Sequence, residues 1–153
     1  MYTREQASQI KQSFWTAFGK YMSPVLSAEG EKINWINYKT GIRYLSFRMN
    51  ATGGEATIAI EITQSDPHYA QKLYDLFLSL QQMLEKELEE KWNWEQNYEN
   101  ESHQPISRIS ITLQNCNVFK DSDWPTIISF LKPRIISLDK FWSDHKMIFQ
   151  MIG

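Results

Sequence analysis

A single cysteine, Cys116, stands in a chain of 153 residues, so neither an internal disulfide nor a multi-cysteine zinc site can be built. Charge of one sign is also missing. Sixteen basic residues face 18 acidic ones, for a net charge of −2, which excludes a strongly basic nucleic-acid coat and a polyacidic tail. No apolar run approaches the roughly 20 residues that cross a bilayer. The first 20 residues carry Arg4, Glu5 and Lys11 on a helical pattern, without the apolar stretch of a signal peptide. Glycine and proline are sparse, at six and five, and no low-complexity segment or internal repeat breaks the chain. What is present is ordinary for a globular fold: 42% hydrophobic residues and a length near the prior of about 150 per domain. The expectation is one cytoplasmic domain over residues 1–153, with no membrane segment.

Local signals then place the elements. Thr3-Arg4-Glu5-Gln6 fits a capping box, and Ala7, Ile10, Phe14, Ala17, Phe18 and Tyr21 recur at helical spacing until Ser23-Pro24. From Ile33 the period changes to two. Ile33–Tyr38, Ile42–Met49 and Ala56–Thr63 read as three strands, joined by turns at Lys39-Thr40-Gly41 and Asn50–Gly54. Asp66-Pro67 starts a helix, with Asp as N-cap and Pro where a missing N–H costs nothing. Tyr69, Leu73, Leu76, Phe77, Leu80, Met83, Leu84 and Leu88 give that helix one long apolar stripe. Trp92–Tyr98 and Ser107–Leu113 form a hairpin with a polar loop. A last helix starts near Ser122 or Asp123, its stripe of Trp124, Ile128, Leu131, Ile135, Leu138, Trp142, His145 and Phe149 keeping phase across Pro133. That predicts a kink, not two helices. The fold class is α+β: two layers, an antiparallel sheet of about five strands with helices on one face, in the order α-β-β-β-α-β-β-α.

Several segments carry a family likeness: Phe14-Trp15, the run Trp35-Ile36-Asn37-Tyr38-Lys39-Thr40-Gly41, Phe47-Arg48-Met49, Trp92-Asn93-Trp94, Ser107-Arg108-Ile109, and the stretch from Trp124-Pro125 to Phe141-Trp142. Over nearly its whole length the chain resembles the bacterial family catalogued as domain of unknown function 4268. Members occur alone or behind restriction-nuclease-like modules. The resemblance implies the stand-alone form, with nucleic acid or a nuclease as the first candidate partner. Its motifs are aromatic and structural, so no catalytic residue is carried over.

The order of elements invites a test for a restriction-type nuclease. Such a core needs an acidic residue on one strand and Glu-x-Lys on the next, to hold Mg²⁺ and polarise a water. Here the strand offers Glu61-Ile62-Thr63, with threonine at the lysine position, and no Asp or Glu lies between Glu31 and Glu55. His68, His103 and His145 have no second ligand at metal spacing. No phosphate loop, dinucleotide fingerprint or nucleophile elbow occurs, so no metal, cofactor or catalytic residue is expected. Aromatics, at 14%, are the unusual feature. Most fall on core faces, but Trp35, Trp92 and Trp94 are read on strands whose outward neighbours are polar. Trp35 and Trp94, with Arg43, Arg48, Glu61, Glu95 and Arg108, form the candidate binding surface, suited to stacking bases or to a protein hot spot. The alternative is a sheet face covered by the chain's own loops or by a second copy in a homodimer. Two functions follow: a non-catalytic binding module, accessory to nucleic-acid or nuclease systems, or an enzyme using Glu61 or Glu95 as acid/base beside Arg48 or Arg108. A pocket around a perturbed carboxylate favours the second, and a flat polar face the first. At a net charge of −2, nucleic-acid binding can come only from a local patch and is expected to be weak and salt-sensitive.

Overall fold

The computed structural model describes residues 2–152. Helix α1 spans Arg4–Met22 and opens with the capping box: Thr3 Oγ1 accepts from the Gln6 amide, and Gln6 Oε1 accepts from the Thr3 amide. It buries Phe14, Phe18 and Met22, while Tyr21, read onto the stripe, is exposed. Strands β1 (Leu45–Ala51) and β2 (Glu55–Ile62) follow, then α2 (Pro67–Ser79) and α3 (Gln81–Leu88), β3 (Asn93–Glu99), β4 (Pro105–Gln114), a single 3₁₀ turn at Asp121–Asp123, and α4 (Trp124–Gln150). The four strands form one antiparallel sheet in the order β1-β2-β4-β3.

The element order is therefore α-β-β-α-α-β-β-α. Two expectations are corrected. Residues 33–38 do not form a strand. The Asn34 side chain accepts from the amides of Ile36 and Asn37, closing a turn that competes with any ladder. The segment runs on to Gly41, whose positive φ of +81° suits a residue without Cβ. The long stripe from Pro67 to Leu88 is likewise two helices. Ser79 Oγ donates to the Leu76 carbonyl, and Leu80 sits between the helices at φ −105°, ψ 12°, outside helical geometry. Met83, assigned to the stripe, faces solvent.

Alternation along the strands sorts the two faces. Phe47, Ile60 and Ile109 share one row, and Met49, Ile58 and Ile111 the next. With Leu45, Ala56 and Ile62 they join one core with Phe14 and Phe18 of α1, Leu73 and Phe77 of α2, Leu84 and Leu88 of α3, and the stripe of α4. Burying each such side chain stabilises the fold by about 1.5–3 kcal/mol. Helix α4 is continuous across Pro133: Leu131, Ile135, Leu138, Trp142 and Phe149 are all buried, whereas Pro133 and Ser129, whose carbonyl loses its donor, are exposed. Water can satisfy that carbonyl. The opposite sheet face carries Arg48, Thr57, Ala59, Glu61, Arg108, Ser110 and Thr112, none of which joins that core, and among the described residues no helix packs over it.

Candidate functional site

Register places the polar residues of the helix-free face. Glu61 is opposite Ser46 on one side and Arg108 on the other, and Arg108 is opposite Glu95 on β3. Arg48, one step diagonal from Glu61, brings its Nε to 3.8 Å from Oε1: an ion-pair distance beyond hydrogen-bond reach. Arg48 is 69% exposed at the side chain and Glu61 only 17%. Burial raises the Glu61 carboxyl above its ordinary range, opposed by the nearby charges of Arg48 and then Arg108. Among the described residues no donor hydrogen-bonds that carboxylate.

Arg108 does not reach across to Glu61. Its guanidinium lies 3.9 Å from the centroid of the Tyr98 ring, a cation–π stack, and its Nε is buried without a partner. Tyr98 arrives on this face through a bulge. Pairing runs Glu95 with Arg108 and then Tyr98 with Ile106, so β3 gains a residue at Gln96-Asn97, and Asn97 takes the left-handed φ of 62°. Beyond it the hairpin tip folds tightly. The Asn100 side chain accepts from the amides of Ser102 and Gln104, and the tip reaches over the sheet. Arg48, Glu61, Tyr98, Glu101, Ser102 and Arg108 then enclose a pocket of about 170 Å³. The outer face is neither open nor flat; the chain's own hairpin covers part of it.

Of the seven nominated residues, the structure brings Arg48, Glu61 and Arg108 together in this pocket and sets Glu95 beside Arg108 by register. Three lie elsewhere. Trp35 is 3% exposed and donates from Nε1 to the Val25 carbonyl, so it is a core residue of a loop. Trp94 shares a row with Ile109 on the helix side and packs edge-on against Tyr74, its Nε1 buried without a partner. Arg43 stacks over Tyr44 and does not line the pocket.

A larger cavity of about 470 Å³ lies between α4 and the segment running from Ser27 to Gly41. Its centre is Asp139, only 5% exposed, which accepts from the Tyr38 hydroxyl at 2.6 Å and the Ala28 amide at 2.7 Å. Burial, reinforced by that bond, drives the Tyr38 phenol far above its ordinary range. Both carboxylate oxygens have donors, and what they hold is the loop against the helix. Asp139 thus acts as a latch, while the smaller pocket is the one with unmet polar groups. Sequence reasoning missed both Tyr98 and Asp139. Asp139 did carry a signal, since it falls between Ile135 and Trp142 on the apolar side of α4. Among the described residues, no group of three or more His, Cys, Asp and Glu is placed to hold a metal ion, and no helix is long and apolar enough to cross a membrane.

These features define an α+β protein with a four-stranded antiparallel sheet, four helices packed on one side and a small polar pocket on the other. The family model described as Domain of unknown function (DUF4268) matches residues 10–146, and the chain belongs to that family. No curated protein and no solved structure matches the chain.

Proposed function

We propose that the chain is a binding module that acts in the cytoplasm and receives one small polar group of its ligand in the pocket on the helix-free sheet face. One observation carries the reading: in a pocket whose Glu61 carboxylate accepts no hydrogen bond, the Nε of Arg108, opposite Glu61 in register, is buried without a partner. Buried polar groups are almost always satisfied, so an unmet one lining a pocket beside a half-buried carboxylate reads as a site awaiting its partner. The volume supports recognition of a fragment of a larger ligand, because about 170 Å³ is below the roughly 300–1,000 Å³ that encloses a whole small molecule.

A second reading is favoured by the raised Glu61 carboxyl, the property a general acid or base needs near neutral pH. It makes Glu61 the proton-transfer group and Arg48 and Arg108 the binders of developing negative charge.

An NMR screen of chemically diverse fragments against the full chain tests the module reading. Binders should shift the amides of Glu61, Tyr98 and Arg108, and Arg108→Ala should abolish those shifts while leaving the remaining spectrum folded. Fragments gathering around Asp139 instead would overturn it. Ligand recovered chemically unchanged supports binding alone; turnover that vanishes in Glu61→Gln would install the enzyme reading in its place.

A further inference from the structure

We propose that the group received by this pocket is a guanine base, from a free nucleotide or an unpaired strand, an inference that rests on the pocket reading above. The Arg48 Nε at 3.8 Å from Glu61 Oε1 sets a donor beside a carboxylate with two acceptors, and both residues line the pocket. The Watson–Crick edge of guanine presents the complementary series: the O6 acceptor, then the N1–H and N2–H donors. Adenine turns its N1 lone pair toward the carboxylate, which is repulsive. Cytosine offers the carboxylate one amino group and turns its two acceptors to arginine. Thymine and uracil offer one N–H between two carbonyls.

Burial decides among them. Arg48 is 69% exposed and keeps its water, whereas Glu61, at 17%, has little access to it. The ligand that gains most is the one giving Glu61 two donors, and of the common bases that is guanine. Leaving a half-buried acceptor without its donor is the cost that separates guanine from the rest.

The remaining walls fit a flat ring. Arg108, held 3.9 Å over Tyr98, presents a planar, delocalised cation, and bases exposed in single strands stack on guanidinium planes and aromatic rings. The volume of about 170 Å³ leaves room for one ring system, with sugar and phosphate outside. Because the Watson–Crick edge must be free, duplex is excluded. Glu95 and Glu101 lie close by, so phosphate contributes little and binding should depend only shallowly on salt, well short of the slope of about −0.7 for each phosphate neutralised.

Calorimetric or NMR titration of the full chain with GMP, IMP, AMP and CMP tests this. IMP keeps N1–H but lacks the 2-amino group, so affinity should fall about tenfold from GMP to IMP, near 1.4 kcal/mol for the one lost contact, and about a hundredfold further to AMP, which loses both N1–H and O6. Glu61→Gln should weaken GMP at least tenfold and leave AMP unchanged, because an amide replaces one acceptor by a donor. AMP or CMP binding as tightly as GMP, GMP unaffected by Glu61→Gln, or the absence of any shift at Glu61, Tyr98 and Arg108 would overturn the assignment. If other fragments still map to those amides, the pocket reading survives without guanine; if they map elsewhere, both fall. A short oligothymidine with one central guanine supplies the last arm. Tighter binding of the strand than of GMP supports the base with an unpaired strand as its source, and equal binding supports it with the free nucleotide.

Discussion

Replacing Asp139 by alanine tests whether one buried carboxylate fastens the irregular segment before β1. The segment contributes Trp35, Tyr38 and Thr40 to the packing but has no strand ladder to hold it. Its ties to α4 include the Tyr38 hydroxyl and Ala28 amide on Asp139, and Trp142 Nε1 donating to the Thr40 carbonyl at 2.9 Å. A hydrogen bond to a charged group contributes about 1.5–3 kcal/mol. Both bonds are part-buried; the Tyr38 bond keeps that value, while Ala28 is itself exposed, so its amide can turn to water and its share falls to about 0.5–1 kcal/mol. Asp139→Ala should therefore cost about 2–4 kcal/mol. Asp139→Asn, which retains one carbonyl acceptor, should cost roughly half as much. Urea unfolding followed by circular dichroism measures both, and a double-mutant cycle with Tyr38→Phe isolates the shared bond, expected to couple by about 1–3 kcal/mol. Additive single changes, or an alanine variant within about 0.5 kcal/mol of the parent, would show that the segment is held by apolar packing alone.

Trp142→Ala removes a side chain that is 2% exposed together with its bond to Thr40, and should cost about 3–5 kcal/mol in the same assay; a variant as stable as the parent would mean the stripe beyond Pro133 is not part of the core. The Tyr38 phenol, raised by burial and then by Asp139, keeps in the folded state a proton that the unfolded chain loses above about pH 10. Stability should fall as pH climbs past that point, and Tyr38→Phe should flatten part of the fall in alkaline unfolding curves. Glu61, also raised, stabilises the fold only while protonated, an advantage lost as pH rises through its folded value. Glu61→Gln should thus gain stability over the parent near pH 7 and lose that gain toward about pH 4; an equal gain at both would refute the burial cause. Cys116 is buried and its thiol is raised by burial, so aromatic disulfide reagents should label it only as fast as the protein opens, and rapid stoichiometric labelling would contradict its position.

The elements that sequence alone located are those specified by short-range chemistry. Thr3 and Gln6 cap each other, Asp66 accepts from the His68 amide ahead of Pro67, and the α4 stripe keeps its phase across Pro133 because a helix bends more easily than it slips. The period of two placed Arg48 and Glu61 on one face, and their contact follows from it. Residues 33–38 failed because apolar and polar positions alternate equally well in a strand and in a loop pinned by Trp35 and Asn34; the choice belongs to Val25, Asp139 and other distant partners. The break at Leu80 was hidden for a similar reason, since a leucine gives no stop signal and the competing bond comes from Ser79. Tyr98 could not be placed because one inserted residue at Gln96-Asn97 moves every later side chain of β3 to the other face.

That bulge also separates the pocket from the core, and so determines which substitutions are informative. Without it, Tyr98 would share the helix-side face with Trp94, and Arg108 would have no ring to stack on. With it, the pocket's polar residues stand apart from the core that includes Phe47, Ile58, Ile60 and Ile109. Truncating Arg48, Glu61 or Arg108 opens no cavity among those residues, so a loss of binding in such variants reports on the pocket. Trp35 and Trp94 are the opposite case. Both pack on the helix-side core, and shortening either would disturb folding and binding together. Replacing Tyr98 by alanine makes the sharpest separation. It removes the ring on which Arg108 stacks and dissolves that contact while the core cluster stays filled. A variant that keeps its stability within about 1–2 kcal/mol but no longer shifts at Arg108 on ligand addition would place the site's assembly on that single ring. One that binds as before would show that the pocket does not depend on the stack.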